Sequence, residues 1–458
     1  MPWLDDGGWS ALYDLLDTAW SNRVWIIQEF VMAPENPGVR ILKDRHIFSM
    51  ERLALAMSVI YKYNLECELK IRYPARFAAL WTERIRRKMA PSGLEVIARN
   101  WMADVTGARD KIYGLRSLLQ DFEIKVDYKN HTVTDVFVAF TCEVIWKHRN
   151  LALLGALSAQ TYGRNADLPS WVPDWTSIAP DTRMLISPEA GDEDRSFMHF
   201  NAASKWSTSF VPEFVGLNNC NLQVEGLIID TIPSVWWLGP VHRKSSTLSD
   251  ALEFFRKSEH LAHVHDEHTI VGYGNPKYKI SAKKKYPHTG EPLLFAYYAT
   301  LTMDDLHHRH EQHRFDIISR TRRLRKLFFQ FHELIYILRS KSSNGLLLSS
   351  PVSLAGDNSN LLHAFLEHPV AHAMSVRSNR RIVRRIEQQY LGLFPERIYE
   401  GDSVVLLKGA RVPFVLRKST QTRDDGEELW GIVGDAYVYG IMAGEAWDET
   451  NYRTFILK

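Results

Sequence analysis

A tryptophan and a glutamate near the start of the chain have the spacing of one helical face. Trp25 and Glu29 lie four residues apart in the string Arg23-Val24-Trp25-Ile26-Ile27-Gln28-Glu29, and residues four apart are neighbours on an α-helix. An indole ring held beside a carboxylate excludes water from it, which is one way to prepare the carboxylate for acid–base chemistry. The same spacing also suits a buried Trp25 with Glu29 at a domain edge, so both interpretations stay open.

Two groups of histidines have the residue type that binds transition metals. They are His260, His263, His265 and His268, and His307, His308, His310 and His313. Zinc needs three or four ligands in a tetrahedral arrangement. Four histidines at the spacing of the first group cannot all face one point on a helix, and no cysteine lies nearby. We therefore expect solvated histidines in a variable insert, with no metal and no cofactor.

Basic residues cluster in three further places. They are Arg320, Arg322, Arg323, Arg325 and Lys326; Arg380, Arg381, Arg384 and Arg385; and Lys283, Lys284 and Lys285. The first cluster opens an amphipathic helix predicted near 314–340, which either packs on a core with a wet basic face or binds a membrane or nucleic acid. The second cluster indicates an edge strand protected by charge. Because the net charge is only +2, nucleic-acid binding is not the main expectation.

The overall composition is typical of a water-soluble globular protein. The 458 residues are 45% hydrophobic and 24% charged, which predicts two or three domains. Three widely separated cysteines indicate a reducing compartment, and no apolar run is long enough to span a membrane. We therefore expect a cytoplasmic protein. The sequence contains no G-x-S-x-G, Walker A, G-x-G-x-x-G or H-E-x-x-H motif, so the most easily recognised enzyme classes are not indicated.

The predicted elements give an α+β fold. Apolar spacing predicts helices near 22–32 and 132–148, the second opened by a capping box of Thr132 and Asp135. Two prolines in 167–175 forbid a regular helix and indicate a rigid strap that carries Trp171 and Trp175. A strand is predicted at 222–228. The last 80 residues are rich in short β runs, which indicate a small antiparallel sheet or partly closed barrel.

Four strings in this order resemble fungal heterokaryon-incompatibility (HET) domain proteins. They are the R-V-W-x-x-Q-E string at 23–29; Arg109-Asp110-Lys111-Ile112-Tyr113-Gly114-Leu115; Leu168-Pro169-Ser170-Trp171-Val172-Pro173-Asp174-Trp175; and a C-terminal module that runs from Gly401-Asp402 to Gly444-Glu445-Ala446. For Asp110, the residues themselves favour a structural role as a helix N-cap, with Arg109 paired to a carboxylate.

The resemblance implies a division of the chain into five segments. The strings L-S-Y-x-W-G and D-x-x-C-I-N-Q that open the family's HET domain are missing from this sequence, so 1–35 is expected to be the C-terminal remnant of an N-terminally truncated, TIR-like α/β domain. The further segments are a helical region ending in the strap (36–180), a mixed strand region (181–238), a His/Lys-rich insert with the long helix (239–345) and a β-rich module (346–458).

The resemblance implies a role in non-self recognition and regulated cell death through protein–protein contacts, attenuated by the loss of most of the HET domain. The partner proteins and the oligomeric state stay open. As an alternative, similarity to TIR domains would make Glu29 the catalytic residue of an NAD-cleaving hydrolase, supported by Trp25. Since the strands and loops that would form its pocket are missing, we expect no NAD cleavage by this chain alone.

Overall fold

The computed structural model describes the greater part of the chain. The described residues are 10, 19–34, 40–43, 45–62, 80–81, 83–85, 93–119, 122–160, 163–178, 200–203, 210–215, 221–232, 248–261, 285–303, 317–343, 365, 368–371, 380–384, 390–423, 426–448 and 450–458. They fall into two compact units. The first comprises Met1–Val144 with Asp174–Ile178, and the second comprises Ile145–Pro173 with Ala179–Lys458. The five-segment division stays a prediction.

Helices dominate the first unit. They are α1 (Ala19–Asn22), α2 (Val24–Met32), α3 (Met50–Lys62), α4 (Gly93–Asn100), α5 (Asp110–Tyr113) and α6 (Val133–His148), the last of which continues beyond Val144 into the second unit. Helices α2 and α6 confirm the predictions at 22–32 and 132–148. At the start of α6 the Thr132 amide donates to Asp135 Oδ2 at 2.8 Å, and the Asp135 amide donates to Thr132 Oγ1 at 3.2 Å. These reciprocal bonds form the predicted capping box.

A β-hairpin interrupts the helical part of the first unit. Strands β1 (Arg40–Lys43) and β2 (His46–Ser49) pair antiparallel. The sequence predicted a mainly helical region here and did not predict the hairpin. The two strands have four residues each, two of them apolar, which is too short for their periodicity to separate strand from helix, and their two-residue connection is the length that favours a hairpin.

The second unit contains a closed β-barrel. Its strands are β3 (Glu213–Val215), β4 (Asn221–Thr231), β7 (Ser403–Leu407), β8 (Phe414–Thr422), β9 (Glu428–Asp435) and β11 (Arg453–Leu457), in the order β11-β9-β8-β7-β4-β3. Strand β11 also pairs with β4, opposing Phe455 to Val224. That pairing closes a ring of five strands, β4, β7, β8, β9 and β11, in which each strand pairs with two neighbours.

The barrel confirms the β-rich C-terminal module and adds to it. Long strand β4 alternates between buried and partly exposed residues, as the period-two pattern at 222–228 predicts. It supplies a barrel wall although it lies far upstream of the other four strands. On the other face of the barrel wall, Val404, Leu406, Val415 and Val433 form one buried apolar cluster with Phe394.

The rest of the second unit is a small sheet and a group of helices. Strands β5 (Arg380–Arg384), β6 (Leu391–Pro395) and β10 (Tyr437–Val438) form an antiparallel sheet with β5 at one edge. Helices α7 (Leu248–Leu261), α8 (Leu293–Thr302) and α9 (Ile317–Ser343) pack through aromatic side chains; the rings of Phe255 and Phe331 lie 5.6 Å apart. Helix α9 confirms the long helix predicted at 314–340.

Taken together, helices and mainly antiparallel sheets confirm the α+β fold class. Among the described residues, no helix has the length and apolar character needed to cross a bilayer.

Candidate functional site

The first family string is anchored in the first unit through its backbone. The Val24 amide donates to Asp104 O at 3.0 Å, and the Asp104 amide donates to Asn22 O at 2.6 Å. Residues Arg23 and Asp104 thereby form a parallel β-bridge at the start of α2. The bridge satisfies backbone groups that a helix start leaves unpaired.

The second family string packs directly on the first. A Cβ atom built on Gly114 would lie 2.6 Å from Val24 Cγ1, and Val24 is fully buried. The Ser117 amide, just past α5, donates to Gln28 Oε1 at 3.4 Å. We call this contact between α2 and the Arg109–Leu115 string the motif joint. It requires a residue without a side chain at 114 because the two segments approach so closely.

The basic residues of the second string bond to backbone carbonyls. Lys111 Nζ donates to Trp101 O at 2.5 Å and to Ala103 O at 2.7 Å. Arg109 Nη1 donates to Tyr128 O at 2.8 Å and to His131 O at 2.5 Å. The prediction that Arg109 pairs with a carboxylate is therefore wrong, because a fork of N–H donors serves free carbonyls equally well.

Asp110 also differs from its predicted role. It is the first residue of α5, and Arg109 occupies the N-cap position. Its carboxylate accepts a hydrogen bond from the Tyr128 hydroxyl. Burial, followed by that bond to Asp110, raises the pKa of Tyr128 to about 12. The phenol therefore stays protonated at neutral pH and serves as a donor that ties the 122–132 segment to α5.

Glu29 and Trp25 lie on the face of α2 that is turned away from its core. The buried face consists of Val24, Ile26, Ile27, Phe30 and Val31. Glu29 is exposed to solvent and Trp25 is partly exposed. The four-residue spacing thus places them on one helical face, but that face is open to water. A reaction that depends on a desolvated carboxylate has no support in this position.

The third family string joins the barrel strands. Trp171 is fully buried and its ring lies 5.8 Å from Phe214, which confirms the strap as a core element. The Ser170 amide donates to Lys458 O at 2.6 Å, and Ser170 Oγ accepts a bond of 3.1 Å from the Ile432 amide. One short serine therefore links the strap to β9 and to the C-terminal residue.

Arg164 stabilises the turn of the strap through hydrogen bonds to its carbonyls. Arg164 donates to Leu168 O at 3.1 Å and to Val172 O at 2.9 Å, and it also bonds Pro169 O. Prolines remove backbone donors from this segment, so the guanidinium supplies donors in their place.

The second tryptophan of the string belongs to the first unit. Trp175 is 1% exposed, and its ring meets that of Phe140 at 6.3 Å, edge to face. Asp174 Oδ1 accepts a bond of 2.9 Å from the Thr176 amide. Each tryptophan of this string is therefore a core residue of its own unit.

A bidentate ion pair fixes the C-terminal string. Arg417 Nε and Nη2 donate to Asp402 Oδ1 and Oδ2, each at 2.8 Å. Asp402 is 2% exposed and also accepts from the Tyr399 amide at 2.7 Å. The Arg417 guanidinium lies 4.3 Å from the Tyr399 ring centre. Both charged residues lie within the C-terminal family string. Their pairing was not predicted, because it depends on the register of β7 against β8.

Comparison with known proteins agrees with this geometry. Residues 367–458 match the family model of the Het-6 beta-barrel domain. The barrel of this chain is therefore similar to the Het-6 beta-barrel domain, and we call it the Het-6 barrel. The match begins downstream of β4, so the strand that completes the ring in this structure lies outside the matched range of the Het-6 barrel.

A curated relative extends the similarity beyond the Het-6 barrel. The chain is 22% identical to heterokaryon incompatibility protein 6, OR allele, of Neurospora crassa, over 96% of this chain and 66% of the relative. The chain thus spans just under two thirds of that relative's length. No solved structure matches the chain. Together, the two matches confirm the resemblance to the heterokaryon-incompatibility family.

Most residues of the two histidine groups lie outside the part of the chain that the structure describes. His260 lies in α7, but its side chain is not among those described, and the remaining seven histidines of the two groups lie outside the described residues. The described residues hold no cluster of three or more metal-ligating side chains. The expectation that the two histidine groups bind no metal therefore stays a prediction.

The basic clusters are similarly divided. Arg325 of α9 is partly buried, with its guanidinium 5.8 Å from the Phe295 ring centre, whereas Lys326 is exposed. The side chains of Arg320, Arg322 and Arg323 are not described. Residues 380, 381 and 384 lie in edge strand β5, while 283, 284 and 385 lie outside the described residues. Arg325 therefore packs against a neighbouring helix and does not lie on a solvent-exposed basic face.

Some polar contacts of the core had no signal in the sequence. Ser158 Oγ accepts from the Asp435 amide at 2.8 Å and donates to the Asp435 carboxylate, which is fully buried. In the helical group, the Tyr298 hydroxyl lies 2.9 Å from His332 Nδ1, which lies 3.6 Å from the Glu259 carboxylate. These residues are far apart in sequence, and only the tertiary fold brings them together.

Proposed function

We propose that this chain acts in fungal self/non-self recognition and regulated cell death through contacts with other proteins. The Het-6 barrel and the name of the Neurospora relative support this role. Because the chain spans 66% of that relative, its partners and the strength of its response belong to the proposal. We further propose a cytoplasmic location, favoured by three widely separated cysteines.

One observation carries the proposal: polar groups of the second, third and fourth family strings are used inside the fold. Arg109 and Lys111 bond to backbone carbonyls, and Ser170 links the strap to β9. Arg417 is paired with a buried carboxylate. Groups engaged in this way position backbone and do not act on a substrate. The strings therefore build a scaffold, and surfaces are left to carry the activity.

The alternative of NAD cleavage depends on Glu29. A glycosidic bond to nicotinamide breaks through a cationic transition state, which a carboxylate stabilises best where water is excluded. Glu29 is exposed on α2, so this position gives little stabilisation beyond that of bulk water.

The two functions separate in a single assay of the purified full chain. The chain, Glu29→Gln and Glu51→Gln are each mixed with NAD, and nicotinamide release is measured. Glu51 is an exposed glutamate on α3 and serves as the matched control. We expect no release from any of the three. Turnover that Glu29→Gln abolishes and Glu51→Gln retains would overturn the proposal.

A further inference from the structure

The β1–β2 hairpin carries apolar side chains on a face that is open to water. Leu42 and Ile47 are directly opposed across the two strands. Leu42 is 71% exposed and Ile47 is 65% exposed. Arg40 and Ser49 form the next pair on the same side, and both are exposed. We call these four residues the hairpin face.

The opposite side of the hairpin is the one that packs on the protein. Ile41 and Phe48 form the pair between the two exposed ones, and both are partly buried. Adjacent residues of a strand point to opposite sides, so the burial pattern assigns one side to the first unit and the other to solvent. A directly opposed apolar pair this exposed stabilises the hairpin little, since its area remains in water.

The outer edge of β1 is a place where another strand can add. Within the described part of the chain, the sheet has two strands, and β1 pairs only with β2. An edge strand presents unpaired N–H and C=O groups that accept a further strand. Two strands alone are marginal, and a third strand adds both backbone hydrogen bonds and apolar area.

The charges around the hairpin select the kind of strand. Arg40 lies on the hairpin face and Arg45 lies in the turn, and both are exposed. Residues 40–45 contain three cations, Arg40, Lys43 and Arg45, against the single carboxylate of Asp44. Positive charge beside an apolar centre favours a partner with the complementary pattern. A second copy of the same hairpin would instead bring like charges together.

We propose that the hairpin face and the outer edge of β1 bind an extended acidic segment of another protein, which adds to the sheet as a third strand. Its apolar side chains pack against Leu42, which is in turn flanked by Ile47 on the far strand, and its carboxylates lie near Arg40 and Arg45. This inference rests on the proposed role in protein contacts and names the chemistry of one partner.

The test uses the full chain and three short synthetic peptides. The first is an extended peptide with valine and glutamate two residues apart, so that both lie on the hairpin face; the second has lysine in place of glutamate, and the third repeats the first with every backbone nitrogen methylated. Binding is followed by fluorescence anisotropy. Only the first peptide is expected to bind, because strand addition needs backbone N–H groups and the arginines need carboxylates. Equal binding of the methylated or the lysine peptide, or no binding of the first, would overturn the proposal.

Substitutions locate the binding surface. Leu42→Thr keeps strand propensity but removes apolar area beside the added strand, so it is expected to weaken binding about tenfold. Val211→Thr is the control, because Val211 is 67% exposed in the second unit. Thermal unfolding confirms that the variants stay folded. Unchanged binding by Leu42→Thr, or a homodimer that Leu42→Thr dissociates, would contradict the inference. Failure of peptide binding leaves the NAD assay of the proposed function unaffected.

Discussion

Single side chains at the family strings hold backbone segments in place. The pair of Asp402 and Arg417 shows the principle: a buried carboxylate receives two donors from one guanidinium and one from the Tyr399 amide. Bidentate geometry of this kind fixes direction as well as distance. The pair therefore sets how the turn before β7 sits against β8.

Replacing Arg417 by Met tests that assignment. The variant keeps an apolar stem but leaves the Asp402 carboxylate, which is 2% exposed, without its guanidinium. We expect a loss of about 2–4 kcal/mol in the free energy of unfolding, less than for a fully enclosed pair because the Arg417 side chain is 39% exposed. Urea denaturation measures it. The control is Lys418→Met, on the same strand as Arg417, which breaks the exposed pair with Glu428 and should cost under about 1 kcal/mol. Equal losses in the two variants would show that Asp402 is not a buried anchor.

The raised pKa of Tyr128 predicts that the folded chain loses stability at high pH. Its pKa in the folded chain is about 12, against an ordinary value of 10.0, so the fold favours the neutral phenol. This contribution to stability is complete below pH 10 and is lost as the pH rises towards 12. NMR of isotope-labelled tyrosine should show one resonance titrating near pH 12 that Tyr128→Phe removes. A Tyr128 resonance that titrates near pH 10 would contradict the bond to Asp110.

Helices and strands were predictable where local chemistry is strong. The capping box of Thr132 and Asp135 marks the start of α6, and long apolar spacing gives α9. The barrel strands followed from alternation and from turns at Gly401, Gly409 and Gly426, all of which have positive φ. The β1–β2 hairpin was missed because its runs are short. The closure of β4 against β11 was missed because strand pairing across more than 200 residues leaves no local signal.

The motif joint gives a prediction about two helices. A methyl group on Gly114 would lie 2.6 Å from Val24 Cγ1 and 2.8 Å from the Asp110 carbonyl oxygen. Since Val24 is buried, α2 must move away from the end of α5, and since the carbonyl belongs to α5, the last turn of α5 must also distort. Gly114→Ala is expected to lower stability by about 1–3 kcal/mol and to speed amide hydrogen exchange in 19–34 and 101–119. The control is Gly107→Ala, where the nearest atom is 3.6 Å away. Similar effects of both substitutions would argue against a tight joint.

The chain as a whole combines two units that are each organised around family strings. In the first unit, two of those strings meet at the motif joint; in the second, the strap and the Asp402–Arg417 pair hold the Het-6 barrel. The sequence alone located these strings and their order. It could not show that many of their polar residues bond inside the fold, because bonded partners such as Ser170 and Lys458 lie 288 positions apart. That internal use is the basis for assigning the activity to surfaces.

Expression in a filamentous fungus of incompatible genotype tests this central claim most directly. The measurement is growth arrest caused by the chain, by Glu29→Gln and by Arg417→Met, with protein levels matched by immunoblot. If the fold presents a contact surface, the chain and Glu29→Gln arrest growth equally, and Arg417→Met weakens the arrest in proportion to its loss of folded protein. A stable Glu29→Gln protein that no longer arrests growth, or no arrest by the chain itself, would contradict the account.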